Sequence, residues 1–277
     1  MPLIAAESTL TAVLRSTHLP PLETRILLSH ALQLSRVQLI TQSERILNPD
    51  EIQTLSTLIA RRLAGEPIAY LTGEREFFGL PFHVTPSVLI PRPETESLVE
   101  LAIQRLPQGG SILDMGTGSG AIAIAIAHAR PDAIVTALDV SVEALDIARG
   151  NAQRNDVNIT FLHSDWFSAL STKQQPQTFD VIVSNPPYIV AGDPHLSQGD
   201  LRFEPVSALT DHDDGLSALR ILCSNAAQYL HVNGWLLMEH GYDQAAAVRH
   251  MLVDNQFKDA QSWRDLADIE RVTGGYL

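Results

Sequence analysis

The chain has 277 residues, of which 45% are hydrophobic and 18% charged, a composition that suits about two folded domains and excludes an intrinsically disordered protein. The apolar run Ala121 to Ala127 ends at His128, far short of the roughly 18 residues a membrane span needs, and the start MPLIAAESTL reads as neither a signal nor a transit peptide. Nineteen Lys and Arg stand against 32 Asp and Glu, a formal net charge of −13; phosphate binding needs clustered cations, so direct nucleic-acid binding is not expected.

The acidic excess lies wholly beyond residue 73, because residues 1–73 carry six basic and six acidic side chains. This first stretch reads as helical. Asn48-Pro49-Asp50-Glu51 is a helix start, with a capping Asn, Pro at the first helical position and two acids at the positive end of the dipole. Ile52, Leu55, Ile59 and Leu63 follow at helical spacing, and Pro20 to Leu34 repeats the pattern at Leu22, Ile26 and Leu27. Residues 73–93, GEREFFGLPFHVTPSVLIPRP, interleave aromatic and β-branched residues with Gly and Pro, which predicts a β-hairpin and a stiff connector.

From residue 94 to 277, buried strands at Ile112-Leu113, Ile134–Leu138, Ile159–Leu162, Val181–Val183 and Trp235–Met238 alternate with helices over Ser119–Ala129, Val142–Asn155 and Leu216–Leu230. That alternation predicts an α/β fold with a parallel, doubly wound sheet. Three strand ends carry the chemistry. The first, LDMGTGSG, runs Leu113 to Gly120. Its glycines allow a tight turn and close backbone approach, and the next helix offers its free N–H groups. Gly116, Gly118 and Gly120 do not have the dinucleotide spacing G-x-G-x-x-G. Asp139 ends the second strand, where an acid can accept both hydroxyls of a ribose, so an adenosine of either a nicotinamide dinucleotide or S-adenosylmethionine is implied. After the third strand, Asp165-Trp166 can hold the adenine.

The fourth strand ends in Asn185-Pro186-Pro187-Tyr188, at the carboxyl edge where ligands bind in such sheets. This combination resembles the S-adenosylmethionine-dependent methyltransferases that methylate a planar –NH2. The residue types suit that chemistry. The amide lone pair is delocalised and weakly nucleophilic, so an acceptor at the Asn185 side chain and another at the Pro186 carbonyl would aim its nitrogen, the prolines would fix the geometry, and Tyr188 could lie against the flat group.

With YLTGEREFFGLPFHVTPSVLIPRPETE (Tyr70 to Glu96), LDMGTGSGAIAIAIA, SDWF, SNPPYI and ERVTGGYL, the chain resembles the HemK-type protein-(glutamine-N5) methyltransferases from about residue 60 to 277. The resemblance implies a Rossmann-like catalytic sheet over 94–277, a helical release-factor docking domain over 1–72 and a hairpin connector over 73–93. It implies S-adenosylmethionine as methyl donor and the glutamine of the Gly-Gly-Gln loop of peptide chain release factors as acceptor. Carried over, Gly116, Thr117, Gly118, Ser119, Gly120, Asp139, Trp166 and Asn185 would contact the cofactor, and Asn185, Pro186, Pro187 and Tyr188 would hold the substrate and form the catalytic motif. Arg92 and Glu94 receive no role. A cytoplasmic monomer is expected.

No metal is expected. The ten histidines form no H-E-x-x-H motif, the single Cys223 excludes a disulfide or a cysteine-based zinc site, and Asp211, Asp213 and Asp214 read as an acidic loop capping the helix near Leu216. The alternatives are a DNA adenine or RNA guanine N-methyltransferase, a nicotinamide-dependent oxidoreductase, and a non-catalytic adenosine-binding module. Charge opposes the first, the glycine spacing the second, and an intact Asn185 and Tyr188 the third.

Overall fold

The computed structural model describes residues 4–171 and 177–277. They form two compact units, the first through Glu74 and the second Arg75–Leu277. The first contains α1 (Leu10–Ser16), α2 (Pro21–Leu32), α3 (Arg36–Thr41), α4 (Pro49–Leu63) and α5 (Ile68–Thr72). Asn48 caps α4 through a reciprocal box: its Oδ1 accepts from Glu51 N at 2.9 Å while Glu51 accepts from Asn48 N at 2.9 Å. Leu55, Leu58 and Ile59 of α4 close on Leu27 and Leu28 of α2, Leu10 and Val13 of α1, and Leu39 of α3. The helical spacing rotates Leu22 and Leu63 outward; both are exposed, and Thr24 occupies the buried face of α2 instead.

A hairpin, β1 (Glu74–Phe77) and β2 (Leu80–His83), begins at the boundary and lies almost wholly in the second unit. Its turn residues Phe78 and Gly79 both have positive φ, 53° and 77°, the two-residue turn whose twist matches paired strands. The hairpin is packed into this unit. Phe77 and Phe82 are fully buried, and Asn151 fastens His83 by accepting from its N at 2.7 Å and donating to its O at 3.0 Å.

The remaining elements are α6 (Glu96–Arg105), β3 (Ser111–Met115), α7 (Ala121–Ala129), β4 (Ile134–Asp139), α8 (Val142–Arg154), β5 (Thr160–His163), β6 (Phe179–Ser184), α9 (Val206–Leu209), α10 (Ser217–Asn225), β7 (Leu230–Glu239), α11 (Ala245–Asp254), β8 (Lys258–Arg264) and β9 (Glu270–Tyr276). Seven strands form one sheet in the order β5-β4-β3-β6-β7-β9-β8. The first five are parallel, but β9 lies antiparallel to both β7 and β8. The sheet is therefore mixed and two strands longer than the alternating pattern predicted. Residues 258–276 are too polar to read as core strands, because β8 is the edge strand and only β9, between β7 and β8, is substantially buried. The helix expected to run to Leu230 ends at Asn225 and tightens into a 3₁₀ turn over Ala226–Tyr229.

Chain direction across the sheet reverses between β3 and β6, neighbours whose carboxyl-end residues Met115 and Ser184 are paired in register. Strand ends splay apart at such a point and leave a crevice.

Candidate active site

The crevice is a cavity of about 420 Å³, within the ordinary range for small-molecule sites. Gly116, Thr117, Gly118 and Ser119 line one side with Asp139, Asp165 and Trp166, and Asn185, Pro186 and Pro187 line the other.

On the first side the backbone does most of the work. Gly116 N and Thr117 N donate to Leu138 O at 2.9 and 3.0 Å, and Gly118 N donates to Asp139 Oδ2 at 2.8 Å. Asp139 Oδ1 accepts from Ser141 N at 2.9 Å. Each carboxylate oxygen thus has one backbone donor and keeps a further lone pair for a hydroxyl. Gly116 and Gly118 have φ of 73° and 55°, and a Cβ on either would point into open space. The loop thus leaves room for a ligand against its backbone. Trp166 holds a left-handed backbone, φ 47°, while Ser164 Oγ donates to its carbonyl at 2.6 Å; strain of this kind in a non-glycine residue concentrates at functional sites.

Gly120 does something different from the role expected of it. It is absent from the cavity wall, and a Cβ there would stand 2.8 Å from Ile124 Cδ1 and 3.1 Å from Ala148 Cβ. Its small size lets α7 pack on α8.

The second side rests on side chains. Ser184 Oγ donates to Met115 O at 2.7 Å, locking the end of β6 to the end of β3. Asn185 Nδ2 donates to Thr95 Oγ1 at 3.2 Å, which leaves Oδ1 as the end of the amide available to the cavity. Tyr188 is held by a buried acid. It lies off the cavity wall, and its hydroxyl donates to Glu239 Oε1 at 3.2 Å. A phenol taken into the interior needs an acceptor, and Glu239 supplies it. Burial and the Glu239 charge hold the Tyr188 phenol above its ordinary range. The Tyr188 carbonyl accepts from Gln244 Nε2 at 3.0 Å, so the motif is braced from below.

Several wall residues had no sequence signal. Arg92, which carried no expected role, lines the cavity and pairs with Glu204, whose other oxygen accepts from Ile90 N at 3.2 Å. This buried pair ties the Pro91-Arg92 stretch to the segment carrying Pro205, Ser207 and Ala208, which also line the cavity. Burial raises the Glu204 pKa and Arg92 opposes the rise. Asp114, beneath the glycine loop, accepts from Thr117 Oγ1 at 2.7 Å while its Oδ1 has no partner. Burial pushes its carboxyl up to about 7, against the Thr117 hydrogen bond and with the added push of the Asp139 charge. The acidic run is spent on backbone. Asp211 accepts from Asp213, Gly215 and Ser217 N, and Asp214 accepts from Leu216 N and pairs with Arg220. Among the described residues no group of three His, Cys, Asp or Glu is arranged to hold a metal, and no helix is long and apolar enough to cross a membrane.

Comparison with known proteins gives this geometry its context. Residues 94–199 match the model of the methyltransferase small domain, and residues 5–73 match the model of the PrmC N-terminal domain. A methyltransferase from Pyrococcus furiosus shares the fold, with a TM-score of 0.54 at 21% identity over 80% of this chain and 98% of that one. The protein is thus an S-adenosylmethionine-dependent methyltransferase built on a Rossmann-like sheet. The release factor glutamine methyltransferase of Burkholderia pseudomallei (strain K96243) is 53% identical over 98% of this chain and 96% of its own length. That of Escherichia coli (strain K12) is 46% identical over 95% and 94%. The chain belongs to the release factor glutamine methyltransferase family.

Proposed function

We propose that this enzyme methylates the side-chain amide nitrogen of the glutamine in the Gly-Gly-Gln loop of peptide chain release factors, and so modulates translation termination. The observation that carries the reading is the held amide of Asn185. With Nδ2 engaged by Thr95, Oδ1 is the acceptor for one N–H of the target amide, and the Pro186 carbonyl accepts the other. Two fixed acceptors in a plane orient a weakly nucleophilic nitrogen, and this orientation supplies much of the rate.

When bound, S-adenosylmethionine supplies an electrophilic methyl group on a sulfonium. Asp139 would hold the ribose hydroxyls through its remaining lone pairs, Trp166 would lie against the adenine, and the 116–119 backbone would take the rest of the donor. The fit rests on the open space at Gly116 and Gly118 and on the acidic lining of Asp139, Glu143 and Asp165, which suits a cation. The helical first unit docks the release factor, residues 73–93 connect it, and 94–277 perform the transfer. The charge balance favours a protein acceptor over nucleic acid. The enzyme acts as a monomer in the cytoplasm.

Incubation with labelled S-adenosylmethionine and purified release factor, followed by peptide mapping, tests this reading. The expected result is a one-methyl mass gain on the loop glutamine alone. Label on nucleic acid and none on the release factor would overturn it.

A further inference from the structure

We infer that Glu239 is a positioning residue for the methyl acceptor: acting through the Thr95 hydroxyl, its carboxylate sets which end of the Asn185 side-chain amide faces the cavity. The inference rests on the reading of Asn185 as an acceptor for the target amide.

Glu239 ends β7 beside the carboxyl end of β6 and is 1% exposed. Its Oε1 accepts from Tyr188, while Oε2 has no partner at normal hydrogen-bond geometry. The Thr95 hydroxyl, 4% exposed, is the other donor standing against this carboxylate. Thr95 Oγ1 is also the atom that receives Asn185 Nδ2. The four side chains come from three distant segments, with Thr95 and Asn185 on the cavity wall and Tyr188 and Glu239 off it.

Proton counting gives the array a direction. A hydroxyl has one proton and two lone pairs, and an ionised carboxylate only accepts. When Thr95 turns its proton toward the Glu239 carboxylate it stands against, it can only accept from Asn185. Nδ2 must then point at Thr95, and Oδ1 is left for the substrate. If Glu239 carries a proton or is replaced by a donor, Thr95 is released to donate to Asn185 Oδ1. The amide then turns, presenting N–H groups to the N–H groups of the target. A neutral side chain would satisfy Tyr188 equally well, so the acid is needed for direction rather than for the bond to Tyr188.

The charged and titratable groups facing Glu239 are Arg271 from β9, which favours its ionised form, Glu94 from the turn before α6, which opposes it, and Tyr188 from the motif. Burial outweighs the two hydroxyl donors and Arg271, and lifts the carboxyl to about 7. Its charge therefore changes near neutrality, while the Tyr188 phenol stays protonated.

Steady-state kinetics of Glu239→Gln, Thr95→Val, Thr95→Ser and Asn185→Ala test the inference, with melting curves as the folding control. Glu239→Gln and Thr95→Val are expected to lower kcat by about 10- to 100-fold, the usual effect of losing an outer partner of a positioned ligand. KM for both substrates should change little, and Thr95→Ser should recover most of the rate. In the parent enzyme kcat should fall as the pH drops through about 7, and Glu239→Gln should lose that limb. Should Glu239→Gln fail to fold, the Thr95 pair and the parent's pH profile decide the matter. An inactive Asn185→Ala beside fully active Glu239→Gln and Thr95→Val would overturn the role of Glu239 alone. A fully active Asn185→Ala would overturn the underlying reading of the acceptor site.

Discussion

The two sides of the cavity are built on different principles. On the donor side, the loop after β3 is held by N–H groups bonded to Leu138 and Asp139, about twenty residues away. On the acceptor side, Asn185 meets Thr95 across 90 residues, Tyr188 meets Glu239 across 51, and Ser184 meets Met115 across 69. The first is a backbone cradle whose shape follows from glycine placement. The second is a side-chain array whose geometry exists only after four distant segments have packed. A backbone cradle can grip donors common to many enzymes, whereas an assembled array can be tuned to one acceptor.

Five substitutions can break or sharpen that contrast. The largest effect is expected at Asn185. Asn185→Ala removes a fixed acceptor and should cost about 10²–10³ in kcat, as loss of one preorganised polar partner typically does. Binding of S-adenosylmethionine should be less affected, which single-turnover kinetics with calorimetry would show. At Asp139 the order should reverse. Asp139→Ala removes a charged acceptor and also frees Gly118 N and Ser141 N, so donor affinity should fall by about 1.5–3 kcal/mol, read by titration calorimetry. Unchanged affinity would refute the assignment of the ribose to this residue.

A glycine pair separates cradle from scaffold. Gly120→Ala drives a methyl into Ile124 and Ala148 at a positive φ of 84° and should destabilise the fold by about 1–3 kcal/mol through overpacking. Gly118→Ala places its methyl in open space at the cavity, so it should weaken donor binding more than it lowers the melting temperature. Equal losses of stability in the two would erase the distinction. The smallest effect concerns Asp114. Its folded pKa of about 7 lies above the ordinary carboxylate value, so the folded state holds the proton more tightly. Its contribution to stability is full below about pH 4 and is lost as the pH rises through about 7. Asp114→Asn should therefore flatten the decline in stability between pH 4 and 7 in denaturant titrations, relative to the parent.

Much of the fold was legible because its signals are local. The capping box at Asn48 to Glu51 is a four-residue pattern, and the parallel strands are short apolar runs separated by helices. The failures were non-local. Strands β8 and β9 are half-polar, so the pairing of β9 to β7 and of β8 to β9 left little trace in hydrophobicity. Gly120 looked like its neighbours in LDMGTGSG because sequence spacing cannot distinguish a glycine facing a ligand from one facing a helix. Tyr188 looked like a stacking platform because nothing near it in sequence announces Glu239.

What the sequence by itself determined is the chemistry on offer. A glycine loop and an acid one strand later imply an adenosine, and Asn-Pro-Pro-Tyr after a buried strand carries the resemblance to methyltransferases of a planar –NH2, since each motif encodes its own backbone shape within a few residues. Only the tertiary structure decided the direction of the acceptor amide. Which end of Asn185 faces the cavity depends on where Thr95 sends its single proton, and that depends on a carboxylate brought in by another strand. Hydrogen-bond direction is a property of a closed network, and this network closes only when β6, β7 and the turn before α6 have packed together.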